Sequence, residues 1–350
     1  MLPPSQPPET VCLLRLSAIG DTCHVVPLLR SLQRAWPATR FTWIIGRVES
    51  KLMSLLPEVE FITLDKRAGL GGLRALRRAL RGRRFDLLLH LQLSLRASAV
   101  AAVVPAHIKL GFDRARAREL QWLVTNARVA PRVREHVLDS FMGFADACGV
   151  RERVLEWNLP LPADALAYAE RWIPDGAPRT LVISPCSSHA RRNWLPERYA
   201  AVARHAIDRH GMQVILSGGP GAAERNMADS IVRSCPQIID QVGKDTLPQM
   251  LALLARASAL LAPDTGPAHM ATMVGTPVIG LYAATNPARS GPYLSRRWCV
   301  DAFARAARDF RRSTPEALPW ATKIEEPGVM ALIETAEVCN RLDALLASRP

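Results

Sequence analysis

A chain of 350 residues exceeds what one hydrophobic core usually organises, so two domains of roughly 150 to 170 residues are expected. A hydrophobic fraction of 49% with 22% charged residues is ordinary globular composition, and no run approaches the roughly 20 apolar residues that a membrane span requires. The formal charge of +13, carried almost wholly by arginine, attracts polyanions (nucleic acid, an acidic membrane surface or phosphorylated substrates) and equally follows from a GC-rich genome.

Met1–Glu9 is proline-rich without a basic segment, and Arg15 and Asp21 interrupt the apolar run behind it, which argues against a secretory leader and places the chain in the cytoplasm. Val11–Leu16, Phe41–Ile45, Phe61–Leu64, Phe85–Leu91 and Ile108–Phe112 read as short, continuously apolar strands with amphipathic segments between them. That is the pattern of a parallel sheet buried on both faces. A helix is expected from Glu135 to about Cys148, closed by Gly149. A domain boundary falls between residues 155 and 178, where Trp157–Pro162 is extended and Pro174-Asp-Gly-Ala-Pro178 is the strongest punctuation in the chain. Thr180–Ser184, Met212–Ser217, Ile238–Val242, Ala259–Ala262 and Val278–Tyr282 then begin a second series, Cys299–Lys323 is poorly patterned, and a last helix is expected over Gly328–Ala347.

The fold class is α/β: two Rossmann-like, doubly wound parallel-sheet domains facing across a cleft, so chemistry is sought in loops after strands. The seven cysteines (Cys12, Cys23, Cys148, Cys186, Cys235, Cys299 and Cys339) are odd in number, scattered and without a C-x-x-C pair, which speaks against a disulfide framework and a zinc site.

Four turns stand out. In Arg15-Leu-Ser-Ala-Ile-Gly-Asp21, Gly20 allows close approach to the backbone, and Asp21 opens a helix, either as its N-cap or as a carboxylate placed to accept a proton. His24, one turn on, reads as packed. In Asp264-Thr265-Gly266-Pro267-Ala-His269, exposed N–H groups at a helix start, a hydroxyl and Pro267 in the first turn make either a diphosphate cradle or an ordinary capped turn. Ser187, Ser188, Arg191 and Arg192 offer hydroxyls and guanidinium groups to phosphate oxygens, or form a solvated basic loop. Gly218-Gly-Pro-Gly221 precedes Glu224, which can accept hydrogen bonds from a ribose. A Walker loop is absent. Leu73, Leu76 and Leu80 form the apolar side of an arginine-rich amphipathic helix that suits anionic lipid, nucleic acid or solvent.

Leu14-Arg-Leu-Ser-Ala-Ile-Gly-Asp21 with His24-Val-Val-Pro-Leu-Leu29, Gly111-Phe-Asp-Arg114 with Arg118-Glu119, His136 through Gly149, Asp264 to His269, Leu281-Tyr-Ala-Ala-Thr-Asn-Pro287 and Ser290-Gly-Pro-Tyr293 together resemble glycosyltransferase family 9, the lipopolysaccharide heptosyltransferases. The resemblance covers nearly the whole chain. It implies a GT-B fold with an acceptor-binding domain over residues 1–160, a nucleotide-sugar domain over 161–325, and a final helix within 326–350 that crosses back to the first domain. It implies inverting, metal-independent transfer of heptose from ADP-heptose, as donor substrate and with no other cofactor, to a lipid A–Kdo type acceptor at the inner face of the inner membrane. The family's general base falls on Asp21, its donor-phosphate contacts on Ser187, Ser188, Arg192, Thr265 and Gly266 with Pro267 beside them, its ribose carboxylate on Glu224, and Asp264 and His269 line the sugar side. Acceptor contacts are expected at Ser17, Gly20, Gln92, Arg96 and Arg114, and an anionic membrane surface is an expected partner.

Family members usually carry lysine where Arg192 stands and Gly-Pro where Ala283-Ala284 stands, which bears on donor identity. Another sugar nucleotide as donor, a sugar-nucleotide epimerase on the same fold and a basic nucleic-acid-binding or scaffolding protein remain as alternatives. An epimerase needs further acidic and histidine groups that are not assignable here, and no nucleic-acid-binding signature interleaves aromatics with the arginines, so no nucleic-acid partner is expected.

Overall fold

The computed structural model describes residues 6–348; Met1–Ser5, part of the stretch weighed as a leader, and the final Arg349 and Pro350 lie outside the described residues. Contacts divide the chain into two units, Met1–Pro160 and Leu161–Pro350.

The first unit runs β1 (Thr10–Leu14), α1 (Ile19–Ala35), β2 (Arg40–Gly46), α2 (Arg47–Met53), β3 (Val59–Leu64), α3 (Gly69–Ala79), β4 (Phe85–His90), α4 (Leu95–Val103), β5 (Ala106–Gly111), α5 (Gln121–Val124), β6 (Ala127–Arg128) and α6 (Val137–Ala147). Its six strands are all parallel, in the order β3-β2-β1-β4-β5-β6. Helices cover such a sheet, so β1 is apolar throughout its interior: Cys12 and Leu14, with Ile44 and Leu88 on neighbouring strands, meet Leu76 of α3 and Ala97 and Val100 of α4. Each fully buried leucine of this kind contributes about 1.5–3 kcal/mol. Within α1, Pro27 cannot donate to the carbonyl of Cys23, and the indole N–H of Trp157 takes that place at 2.8 Å. The segment leaving the first unit is thereby anchored to its longest helix.

The second unit runs α7 (Ala163–Trp172), β7 (Thr180–Ile183), α8 (Pro196–His210), β8 (Gln213–Leu216), α9 (Ala222–Ser234), β9 (Ile239–Asp240), α10 (Leu247–Arg256), β10 (Ala259–Pro263), α11 (Gly266–Met273), β11 (Val278–Tyr282), α12 (Pro287–Ser290), β12 (Val300–Asp301), α13 (Phe303–Arg311) and α14 (Thr335–Ala347). Its parallel strands lie in the order β12-β11-β10-β7-β8-β9, which, counted from β7, repeats the order of the first sheet.

Several expectations change in detail. The helix read over Gly328–Ala347 is a 3-10 turn, Val329–Leu332, followed by α14. The last helix, for which the resemblance implies a return to the first domain, buries Val338, Leu342, Leu345 and Leu346 in the core of the second unit and packs on α8. The indole of Trp194 donates to the Ile333 carbonyl at 3.1 Å, tying the approach to α14 to the same core. The poorly patterned Cys299–Lys323 contains β12 and α13, and the boundary region contains α7. Their buried positions are largely alanines (Ala165 and Ala169 in α7, Ala306 and Ala307 in α13), so a periodicity search on large apolar residues passes over them. Among the described residues no helix is long and apolar enough to cross a membrane.

Candidate active site

In each sheet the strand order reverses at one place, between β1 and β4 in the first unit and between β7 and β10 in the second. Loops leaving the carboxyl ends of such a strand pair run in opposite directions and open a crevice, the usual ligand site of open α/β sheets. Three of the four turns singled out from the sequence sit there, while Gly218–Gly221 with Glu224 follows the neighbouring strand β8. Ser17–Asp21 follows β1 and Gln92 follows β4; Ser187–Arg192 follows β7 and Asp264–His269 follows β10.

In the first unit Ala18, not Asp21, is the N-cap of α1; Asp21 is the third helical residue, and its Oδ2 accepts from the Ala18 N–H at 3.3 Å. The same oxygen is bound by the guanidinium of Arg15, whose second nitrogen donates to the Leu91 carbonyl at 2.6 Å and whose charge lies 5.4 Å from the Phe141 ring centre. Arg15 is thus fixed from three directions, and it fixes Asp21, which keeps 32% of its side chain open to solvent. Gln92 joins the two loops: its Oε1 accepts from the N–H groups of Leu16 at 2.7 Å and Ser17 at 3.3 Å, and its Nε2 donates to Ser94 at 3.2 Å. That side chain is spent on shaping the turn. Gly20 is buried beneath Asp21, Arg96 is exposed, and Arg114 stacks over Trp122 at 4.4 Å. His24 is buried and packs edge-on against His136 at 5.3 Å, in keeping with its reading as a packed residue.

In the second unit Thr265 is the N-cap of α11, Gly266 and Pro267 form its first turn, and the Thr265 hydroxyl donates to the Cys186 carbonyl at 3.1 Å, linking the two switch-point loops. Asp264 is 14% exposed, close to Ser290 (3.2 Å) and to His269 Nε2 (3.9 Å). Burial works against its charge, yet His269, the Thr285 hydroxyl and the charge of Arg192 together hold its carboxyl below the ordinary range. Ser187 forms a tight turn, receiving the His189 N–H at 3.2 Å while Asn193 accepts its own N–H at 2.7 Å; Ser188 beside it is exposed. Arg192 is gripped by Glu325, at 2.8 Å from Nε and 2.6 Å through its terminal nitrogen. Glu224 lies in the first turn of α9 against Gly218 and Gly219, where a Cβ on Gly218 would come within 2.7 Å of its Oε2. Burial raises the Glu224 carboxyl, partly offset by the Gly219 N–H.

Three side chains escaped the assignment from sequence. Asp245, bonded to the Ser217 hydroxyl at 2.8 Å beyond β8, is pushed up to about 6 by burial, with the nearby charge of Glu224 adding to the rise. A carboxylate in a glycine turn after a strand is the signal that finds it. Arg15, the partner of Asp21, stands in the quoted motif itself, six residues earlier. Glu325 lies 133 residues from Arg192, and no local pattern announces it.

A family model described as glycosyltransferase family 9 (heptosyltransferase) matches residues 73–318. The lipopolysaccharide core heptosyltransferase OpsX of Haemophilus influenzae is 38% identical over 97% of this chain and 98% of its own length. Among solved structures, a family 9 glycosyl transferase from Veillonella parvula aligns with a TM-score of 0.78 at 20% identity, covering 97% of each chain. The ADP-heptose LPS heptosyltransferase II of Escherichia coli aligns at 0.74 and 20% identity, covering 97% of this chain and 99% of that one. At such identities these two likenesses speak to the fold, which is that of GT-B transferases.

Proposed function

Because the chain belongs to glycosyltransferase family 9, we propose that it is an inverting, metal-independent heptosyltransferase that moves heptose from ADP-heptose to the Kdo/heptose inner core of lipopolysaccharide. The observation that carries this reading is the division of labour between the two switch points. The first presents a partly exposed carboxylate held by one arginine, and the second presents hydroxyls, a positioned guanidinium and the N-terminus of α11. A nucleoside diphosphate sugar suits the second set and an acceptor hydroxyl suits the first.

In the proposed reaction the acceptor oxygen bonds to the anomeric carbon from the face opposite the diphosphate, the bond from that carbon to the phosphate oxygen breaks, ADP leaves with the electron pair, and the hydroxyl proton passes to Asp21. A carboxylate so placed contributes about 10²–10⁴-fold. Arg15 holds Asp21 in one orientation. As the leaving diphosphate gains charge, Arg192 and the N–H groups at Gly266 stabilise it more than they stabilise the ground state, which is the service a divalent cation would otherwise render. The grip of Glu325 positions Arg192 beforehand. Glu224 is assigned to the ribose hydroxyls, with Asp245 behind the same turn, and His269 orients Asp264 at the sugar.

The proposed location is the cytoplasm, with attachment to the inner face of the inner membrane. Support comes from α3, which buries Leu76 and turns Arg74, Arg77 and Arg78 outward; with Arg81, Arg84 and Lys109 they line a depression of about 890 Å³. It lies beside the entering ends of β4 and β5, at the opposite end of the strands from Asp21, so it serves attachment and not acceptor recognition. Vesicles with anionic lipid should retain the protein at low salt and neutral vesicles should not; equal retention by both refutes the attachment.

The activity is tested by incubating the protein with ADP-heptose and a heptose-deficient lipid A–Kdo acceptor in excess EDTA. Formation of heptosylated product with inverted anomeric configuration is expected. A folded protein that yields none, while transferring from another sugar nucleotide, overturns the donor assignment and leaves the family membership intact.

A further inference from the structure

Far from either switch point, two histidines of α8 aim at one carboxylate of α14. His205 Nε2 and His210 Nε2 each lie 2.7 Å from Oδ1 of Asp343, and the three side chains are 21%, 22% and 24% exposed. Their ligand atoms all fall within 4.8 Å of one another, the one grouping of this kind among the described residues. From these positions we infer a transition-metal site, with Zn²⁺ the best-suited ion, that staples the last helix of the chain to α8.

The donor set is two neutral imidazole nitrogens and one carboxylate oxygen, which suits a borderline ion such as Zn²⁺ and not Mg²⁺ or Ca²⁺. Tetrahedral zinc with bonds of about 2.0–2.2 Å separates its ligand atoms by roughly 3.3 Å. Each nitrogen therefore has to withdraw from Oδ1 by only about 0.6 Å, within reach of small side-chain rotations. Partial exposure leaves room for water to complete the coordination. On binding, each imidazole proton moves from Nε2 to Nδ1, or is released to solvent if the ring was doubly protonated. The opposing charge nearby is Arg209, 3.7 Å from the other carboxylate oxygen; it is 66% exposed and free to swing outward.

The role is structural. Helix α8 starts just after Arg192 and its 15 residues span about 22 Å, so His205 and His210 stand at its far end, where the chain turns into β8. Metal held there crosses between two helices that already pack together and secures α14. Without metal the same three groups form a hydrogen-bonded cluster, in which the two histidines help hold the Asp343 carboxyl below its ordinary range against the opposing effect of burial.

The test uses the full chain freed of any affinity tag and stripped with EDTA, titrated with ZnCl₂ by calorimetry and followed by thermal melting. One zinc per chain with a micromolar or tighter Kd is expected, along with a rise in Tm of about 3–8 °C at saturating metal. Tetrahedral d–d bands should appear when Co²⁺ replaces zinc. Glutamine at position 205 keeps a hydrogen-bond donor to Asp343 but is a poor ligand. His205→Gln should therefore leave the metal-free Tm nearly unchanged and weaken zinc binding at least 10-fold, and His210→Gln likewise. Absence of saturable binding up to about 1 mM, or binding that both variants leave intact, overturns the site and leaves a hydrogen-bonded cluster only. Sugar transfer should be insensitive to the metal, so the staple and the proposed reaction fail independently.

Discussion

Asp21 and Asp264 follow non-equivalent strands of the two units, β1, the first of its sheet in chain order, and β10, the fourth of its own, each at the place where its sheet reverses its order, and their surroundings differ. Asp21 is one-third open to solvent and tied to a single arginine. Asp264 is 14% exposed and surrounded by Ser290, Thr285 and His269, with the charge of Arg192 reaching it. A carboxylate that trades a proton with a substrate needs access and one orienting partner. A carboxylate held ionised from several sides positions its neighbours and stays charged. In the proposed reaction a βα turn at the switch point thus carries a reacting group in one unit and a fixed electrostatic element in the other, and the loop chemistry, not the fold, decides which.

Asp21→Ala should lower kcat by about 10²–10⁴-fold with little change in donor affinity, as read by transfer kinetics alongside ADP binding. Next, Arg192→Ala should cost about 10–100-fold in kcat/KM, with Arg192→Lys between the two, because lysine restores the charge but not the fork that Glu325 grips.

On the fixed side, Asp264→Asn should lower stability by about 2–3 kcal/mol in denaturant melts, since it removes a buried charge from its partners. The wild type should also lose stability in acid that the variant does not. The Asp264 carboxyl lies below its unfolded value, so its contribution is complete above the ordinary carboxylate range and is lost only as the pH falls beneath it. Asp245 has the opposite sign. Its carboxyl is raised to about 6, the folded chain keeps the proton longer than the unfolded one, and stability falls as the pH rises from about 4 to 6. Asp245→Asn should remove that decline and stabilise the protein at pH 7.5 by about 1–2 kcal/mol.

Much of this was legible before the structure. The continuous apolar runs specified strands of parallel sheets, and the small-residue turns behind β1, β7 and β10 marked loops that the structure places at the switch points. Hidden from the sequence were elements whose packing relies on alanine, such as α7 and α13, because a short methyl group leaves little periodic signal. The placement of the last helix was hidden as well: Val338, Leu342 and Leu345 declare an apolar face but not which core receives it. At the site, Asp21 and Arg192 stood in recognisable turns, whereas Glu325 and the cluster of His205, His210 and Asp343 join residues more than 130 positions apart, which only the folded chain brings together.

In the proposed reaction the first unit's carboxylate does the chemistry while the second unit holds the donor. Single-turnover transfer from ADP-heptose and equilibrium ADP binding, measured on the same folded Asp21→Asn protein, test it most directly. The expected rate is at least ~100-fold below wild type with ADP affinity unchanged. A near-normal rate, or a loss of rate matched by a loss of ADP affinity, would contradict it.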